Sequence, residues 1–130
     1  SNTPDKTPDE YKNNLTGGIG MLIDIPGLVT IKLYCNQLEG SLPVIPLDNN
    51  NNPTTWKNLK EFMVYSNGFS GSIPYGYGVS IANNGSAGLF WVNDNQLTGK
   101  IPADIMTIPR YQTVANEKQI RLLKGNNLTE

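Results

Sequence analysis

The sequence predicts a repeat fold of the α/β class, in which short parallel strands from successive coils lie side by side. Three observations predict it. First, Leu28-Val29-Thr30-Ile31-Lys32-Leu33-Tyr34-Cys35-Asn36-Gln37-Leu38 runs into Glu39-Gly40-Ser41-Leu42-Pro43, and the same arrangement returns over residues 59–74 and 87–102. Second, each block holds a core of alternating apolar residues, Ile31 and Leu33, Phe62 and Val64, Phe90 and Val92. A period of two is the mark of a strand with one face inward. Third, an asparagine stands at the same place in each block: Asn36, Asn67 and Asn95. One such coil cannot bury its own apolar side, so several must stack.

The blocks read L-x-x-[LI]-x-L-x-x-N-x-L followed by x-G-x-[IL]-P, which resembles the plant-type subclass of leucine-rich repeats. The resemblance covers residues 13–130, and three of five repeats match it well. It implies a right-handed solenoid with a parallel sheet on its concave face and mostly irregular or 3-10 segments on its convex face. It also implies a protein whose business is binding other molecules. Plant receptors of this repeat class carry paired cysteines in their end caps. This chain has Cys35 alone, which points towards a bacterial member, and the resemblance implies one that is secreted or surface-exposed.

Taken in order, residues 1–12 are polar and punctuated by Pro4 and Pro8, which oppose a helix. Residues 13–130 form the repeat domain, with an incomplete first coil marked by Asn13 and an incomplete last one marked by Asn126. The asparagines Asn13, Asn36, Asn67, Asn95 and Asn126 are separated by 23, 31, 28 and 31 residues. A plant-type repeat has about 24, so the later coils carry insertions, placed at 48–53, 82–86 and 110–118. These are expected behind the sheet, meeting only solvent. A carboxamide supplies both donor and acceptor, so the asparagine column is expected to satisfy backbone groups from coil to coil. The residues just before it, Cys35, Ser66, Asp94 and Gly125, are small and suit a crowded turn.

The interior is expected to collect Leu15, Ile19, Leu22, Ile25, Leu28, Ile31, Leu33, Leu38 and Leu42 early on. Leu59, Phe62, Val64, Phe69, Ile73, Phe90, Val92, Leu97, Ile101 and Ile105 continue it. In the last repeat Arg121 falls where an apolar residue belongs, and Ile120 and Leu122 fall outward. Either a one-residue bulge shifts the register, or the strand exposes two apolar side chains. The C-terminal end then offers an unpaired strand edge through which copies could associate.

Chemistry finds little to work with. The chain of 130 residues has no histidine and a net charge near -1, which removes the commonest base and metal ligand and argues against a nucleic-acid partner. No catalytic set, metal site or cofactor is expected. No apolar run reaches the roughly 18 residues needed to cross a membrane. Tyr75-Gly76-Tyr77-Gly78 reads as a flexible convex loop, and Asp48 with its asparagines as a solvated insertion. Cys35 reads as a packing residue.

The outward columns of the sheet are more informative. Tyr34, Met63, Tyr65, Leu89 and Trp91 would form an aromatic and apolar patch, rimmed by Lys32, Glu61 and Asn93. Such residues are enriched at interaction surfaces. The expected function is a non-catalytic module that binds a protein ligand on its concave face. Carbohydrate binding by the aromatic rings, or self-assembly through the open C-terminal edge, are the alternatives.

Overall fold

A computed structural model describes residues 14–130; Asn13 and the segment 1–12 lie outside the described residues. In chain order the elements are β1 (Thr16–Gly17), a 3-10 turn (Gly20–Asp24), β2 (Thr30–Lys32), β3 (Gln37–Ser41), β4 (Glu61–Met63) and β5 (Gly68–Gly71). Then come α1 (Tyr77–Asn83), β6 (Leu89–Trp91), β7 (Gln96–Lys100), a 3-10 turn (Ala103–Thr107), α2 (Arg110–Thr113), a π-helical turn (Gln119–Leu123) and β8 (Asn127–Thr129). The strands form two parallel sheets, ordered β2-β4-β6 and β1-β3-β5-β7-β8.

The first sheet comes from the alternating cores. Its register pairs Thr30 with Glu61 and Leu89, and Lys32 with Met63 and Trp91, so equal offsets from the asparagine are true neighbours. Ile31, Phe62 and Phe90 point inward, with Phe62 and Phe90 stacked 5.6 Å apart at 15°.

The second sheet departs from the expected irregular convex side. It forms from the residues just after each asparagine, where Leu38, Phe69 and Leu97 turn inward and are buried. Only one inward side chain per strand precedes a glycine of positive φ (Gly40 at 91°, Gly71 at 78°, Gly99 at 84°), so period-two alternation is too short to show. Its register is also staggered. Glu39 pairs with Gly68, Ser70 with Gln96 and Thr98 with Asn127, so each residue three past one asparagine meets the residue one past the next.

Between the two sheets the chain turns through Cys35, Ser66 and Asp94, at φ 59°, 56° and 58°, and through Gly125 at 73°. The left-handed region penalises a bulky or branched side chain, which is why small residues occupy it. At Gly125 a Cβ would stand 2.6 Å from the Cα of Asp94, so the last turn admits no side chain at all. Cys35 is buried there, and burial pushes its thiol pKa up, away from nucleophilic reactivity.

The asparagines then bind the coils together. Asn67 Nδ2 donates to Leu33 O of the previous coil and to Val64 O of its own, while its Oδ1 accepts from Leu38 N–H at 3.0 Å. Asn95 repeats this with Val64 O, Val92 O and Phe69 N–H, and Asn126 with Val92 O, Leu122 O and Leu97 N–H. Asn36 accepts from Leu15 N–H and donates to Leu33 O and Tyr34 O.

The return segments correct the expectation of solvated loops in two places. Residues 75–78 are not a flexible loop: Tyr77 opens α1, is fully buried, and its hydroxyl donates to Pro43 O at 2.7 Å. Tyr77 packs 4.8 Å from Phe62 and 5.3 Å from Phe90, and Trp56 joins the cluster with its Nε1–H on Leu22 O. Gly78 permits this docking, because a Cβ there would lie 2.0 Å from Asp104 O. The insertion at 110–118 is solvated over 112–116, as expected, but its ends fold back onto the first sheet. Tyr111 donates its hydroxyl to Phe90 O on the outer edge of β6, closing that edge. The insertion at 48–53 does stay outside, where Asp48 Oδ1 accepts from Asn50 and Asn52 N–H groups. Those two bonds hold its carboxyl below the usual range. Leu15 and Ile25, expected inside, are 54% and 48% exposed, because they belong to the outermost described coil and nothing described stacks beyond them.

The last repeat adopts the bulged form. Val92 N–H donates to Arg121 O and Asp94 N–H to Lys124 O, so three residue steps span what two span in the coil before. The surplus residue is absorbed in the π-helical turn, closed by Lys124 N–H to Gln119 O at 2.9 Å. Leu122 therefore turns inward and is fully buried, against the expectation that it faces outward. Ile120 stays 46% exposed, and Arg121 reaches the open face of the first sheet.

Candidate functional site

The open face of β2-β4-β6 holds the residues the sequence singled out. Tyr34 and Tyr65 lie at equal offsets on adjacent coils, and their rings stack 4.7 Å apart at 5°. Trp91 follows, tilted by 59° at 6.2 Å from Tyr65. These three side chains are half-buried, as is Leu89, while Lys32 is exposed. Glu61 is half-buried and accepts from Thr30 Oγ1 at 2.9 Å.

Two expected contact residues are not on offer. Met63 is 6% exposed and Asn93 4%. Met63 sits in register between Lys32 and Trp91, flanked on both sides by longer side chains. Asn93 is flanked along the ladder by Tyr65 and Lys124, and its Nδ2 turns sideways to Asp94 Oδ2 at 2.7 Å. They support the surface from beneath.

Four residues that sequence reasoning left out complete the face. Arg121 lays its guanidinium over Trp91, 3.7 Å from the ring centroid, and 5.5 Å from that of Tyr65. Trp91 Nε1–H donates to Glu117 Oε2 at 2.9 Å, and the same oxygen accepts from Arg110 Nε at 3.2 Å. Glu117 is 7% exposed, so its charge is buried and compensated by Arg110. Beside this pair Tyr111 is half-buried, and its phenol pKa is pushed up, first by desolvation and then by the Glu117 charge. The available signal was the misfit of Arg121 in the last repeat, which needed the bulge to be read as fact.

Among the described residues no three His, Cys, Asp or Glu side chains gather to hold a metal. No described helix is long and apolar enough to cross a membrane.

With its in-register parallel strands, no closed barrel and its asparagine column, the fold is leucine-rich-repeat-like. No protein-family model matches the sequence, and no curated protein matches it. Among solved structures, the chain is similar to one described as the BIR3–SERK2 complex from Arabidopsis thaliana. The TM-score is 0.60 at 25% identity, covering 91% of this chain and 53% of that one. The chain thus spans about half the length of that neighbour. A plant ice-binding protein also aligns, at TM-score 0.46 and 20% identity, over 91% of this chain and 40% of that one.

Proposed function

We propose that the chain is a non-catalytic binding module, a right-handed solenoid of leucine-rich-repeat type whose β2-β4-β6 face docks a protein ligand. The observation that carries this reading is the half-exposed ladder Tyr34–Tyr65–Trp91 on an otherwise open sheet. A sheet that meets only water has no need of three large rings in line, and such rings are the usual anchors of interfaces. Support also comes from the similar fold found in the solved BIR3–SERK2 complex, an assembly of protein with protein. The contact centre is Tyr34, Tyr65, Trp91 and Leu89, with Lys32 and Glu61 at the rim. Secretion or display at a cell surface fits such a module.

Carbohydrate stacking is the weaker reading. A sugar needs a free ring face, whereas Tyr34 and Tyr65 face one another and Trp91 is covered by Arg121. Self-assembly rests on the outer edge of β8, the outermost strand of its sheet among the described residues. Sedimentation at several concentrations reads it directly.

The test is selection of short peptides from a displayed random library on the immobilised chain. Tyr65→Ala is expected to weaken the selected peptides about 30-fold, the size of an interface hot spot of about 2 kcal/mol, with the melting temperature little changed. Full binding by both Tyr65→Ala and Trp91→Ala overturns the proposal.

A further inference from the structure

The extra residue in the π-helical turn places a cation where the repeat alone would not. Lys32, Met63 and Trp91 form one rung of the first sheet, and Arg121 O continues the ladder beyond β6, so the rung runs from a lysine to an arginine. The Arg121 guanidinium lies over the Trp91 ring, its carbon 3.7 Å from the centroid. The indole beneath is itself held by Glu117, and Glu117 by Arg110. Every part of that stack is tied down except the outermost group.

Stacking uses only the flat face of a guanidinium; its five N–H donors lie in the plane and stay available. Among the described residues, the ion pairs join Arg110 with Glu117, Lys118 with Glu130, and Lys124 with Asp94; Arg121 and Lys32 take part in none. The Arg121 side chain has no hydrogen-bond partner among them either. An arginine fork laid over a fixed indole, with unused donors, is a receptor for an oxyanion, and a carboxylate matches it bidentately.

We infer that Arg121 is a carboxylate anchor, and that the face takes an extended acidic peptide segment. The inference rests on the protein-binding reading above and names the chemistry of its ligand. Three strand spacings of about 4.8 Å separate Lys32 from Arg121, roughly 14 Å. An extended chain covers that in about four residues. The segment therefore carries one acidic group on Arg121 and a second about four residues away, on Lys32.

The probe is the set of peptides selected from the random library on the wild-type chain, resynthesised with amidated C termini. Enrichment in Asp or Glu at such a spacing is expected. Arg121→Gln weakens them about tenfold or more, as does replacing the anchoring acid by its amide, and the two changes together cost little beyond either alone. Arg121→Lys, which keeps the charge without the fork, falls between. If only peptides with a free C-terminal carboxylate bind, the anchor stands and the anion is a chain terminus. Selected peptides without acidic enrichment, or equal binding by a stably folded Arg121→Gln, overturn the anchor. So does tighter binding of a phosphoserine version. In those cases loss of binding in Tyr65→Ala still upholds the docking face, whereas unchanged binding in Tyr65→Ala and Trp91→Ala removes both.

Discussion

The three-stranded sheet shows solvent Lys32, Tyr34, Tyr65, Trp91 and Arg121; the five-stranded sheet, made by the same coils, shows Gln37, Glu39, Ser41, Gln96, Thr98 and Lys100. The difference lies in register. Where equal offsets pair, like sits on like, and a ring at one offset can stack on the ring of the next coil, as Tyr34 does on Tyr65. Where each step slips by two residues, no such column forms, and a glycine of positive φ interrupts every long strand. One sheet can therefore line up like side chains in columns, and the other cannot.

The largest effect is expected where the two sheets are joined. Asn95 accepts from Phe69 N–H of β5 and donates to Val64 O and Val92 O beside the first sheet. Asn95→Ala strands the buried Phe69 N–H, while Val64 O keeps its bond from Asn67 and Val92 O its bond from Asn126, so urea unfolding should report a loss of about 1–3 kcal/mol. A loss under about 1 kcal/mol means that packing alone joins the sheets.

A second test acts on the closed edge of β6. Burial raises the phenol pKa of both Tyr77 and Tyr111 in the folded chain. In the unfolded chain a tyrosine ionises near pH 10. Below that pH the folded state keeps its full advantage, and above it the unfolded state gains by releasing protons, so stability falls as pH rises. Urea midpoints at about pH 8 and pH 11 should show the fall, and Tyr111→Phe should lessen it after an initial cost of about 1 kcal/mol for its bond to Phe90 O. An identical fall in Tyr111→Phe places the titration elsewhere. The smallest effect belongs to the five-stranded face. Thr98 is exposed, so Thr98→Ala should change stability by less than about 0.5 kcal/mol and leave peptide binding as it is. Weaker binding there breaks the distinction between the sheets.

The first sheet was legible because three blocks repeat with the same offsets, and the aromatic columns followed from counting back from Asn36, Asn67 and Asn95. The second sheet was not, since Leu38, Phe69 and Leu97 are solitary inward residues. Met63 and Asn93 were misplaced because an outward direction does not guarantee exposure once Lys32, Tyr65 and Trp91 flank them. Trp56 and Tyr77 lie outside the repeated blocks and hold positions no offset predicts; Trp56 even sits at φ 55° while fully buried.

By itself, then, the sequence determined which residues stand on a common rung, because a repeated spacing becomes a spatial neighbour as soon as coils stack. Only the tertiary structure decided where Arg121 and Glu117 go. Their place depends on a surplus residue taken up by a π-helical turn and on an insertion folding back over β6. Neither has a periodic signature, since each is settled by the contact it makes with Trp91 and Phe90.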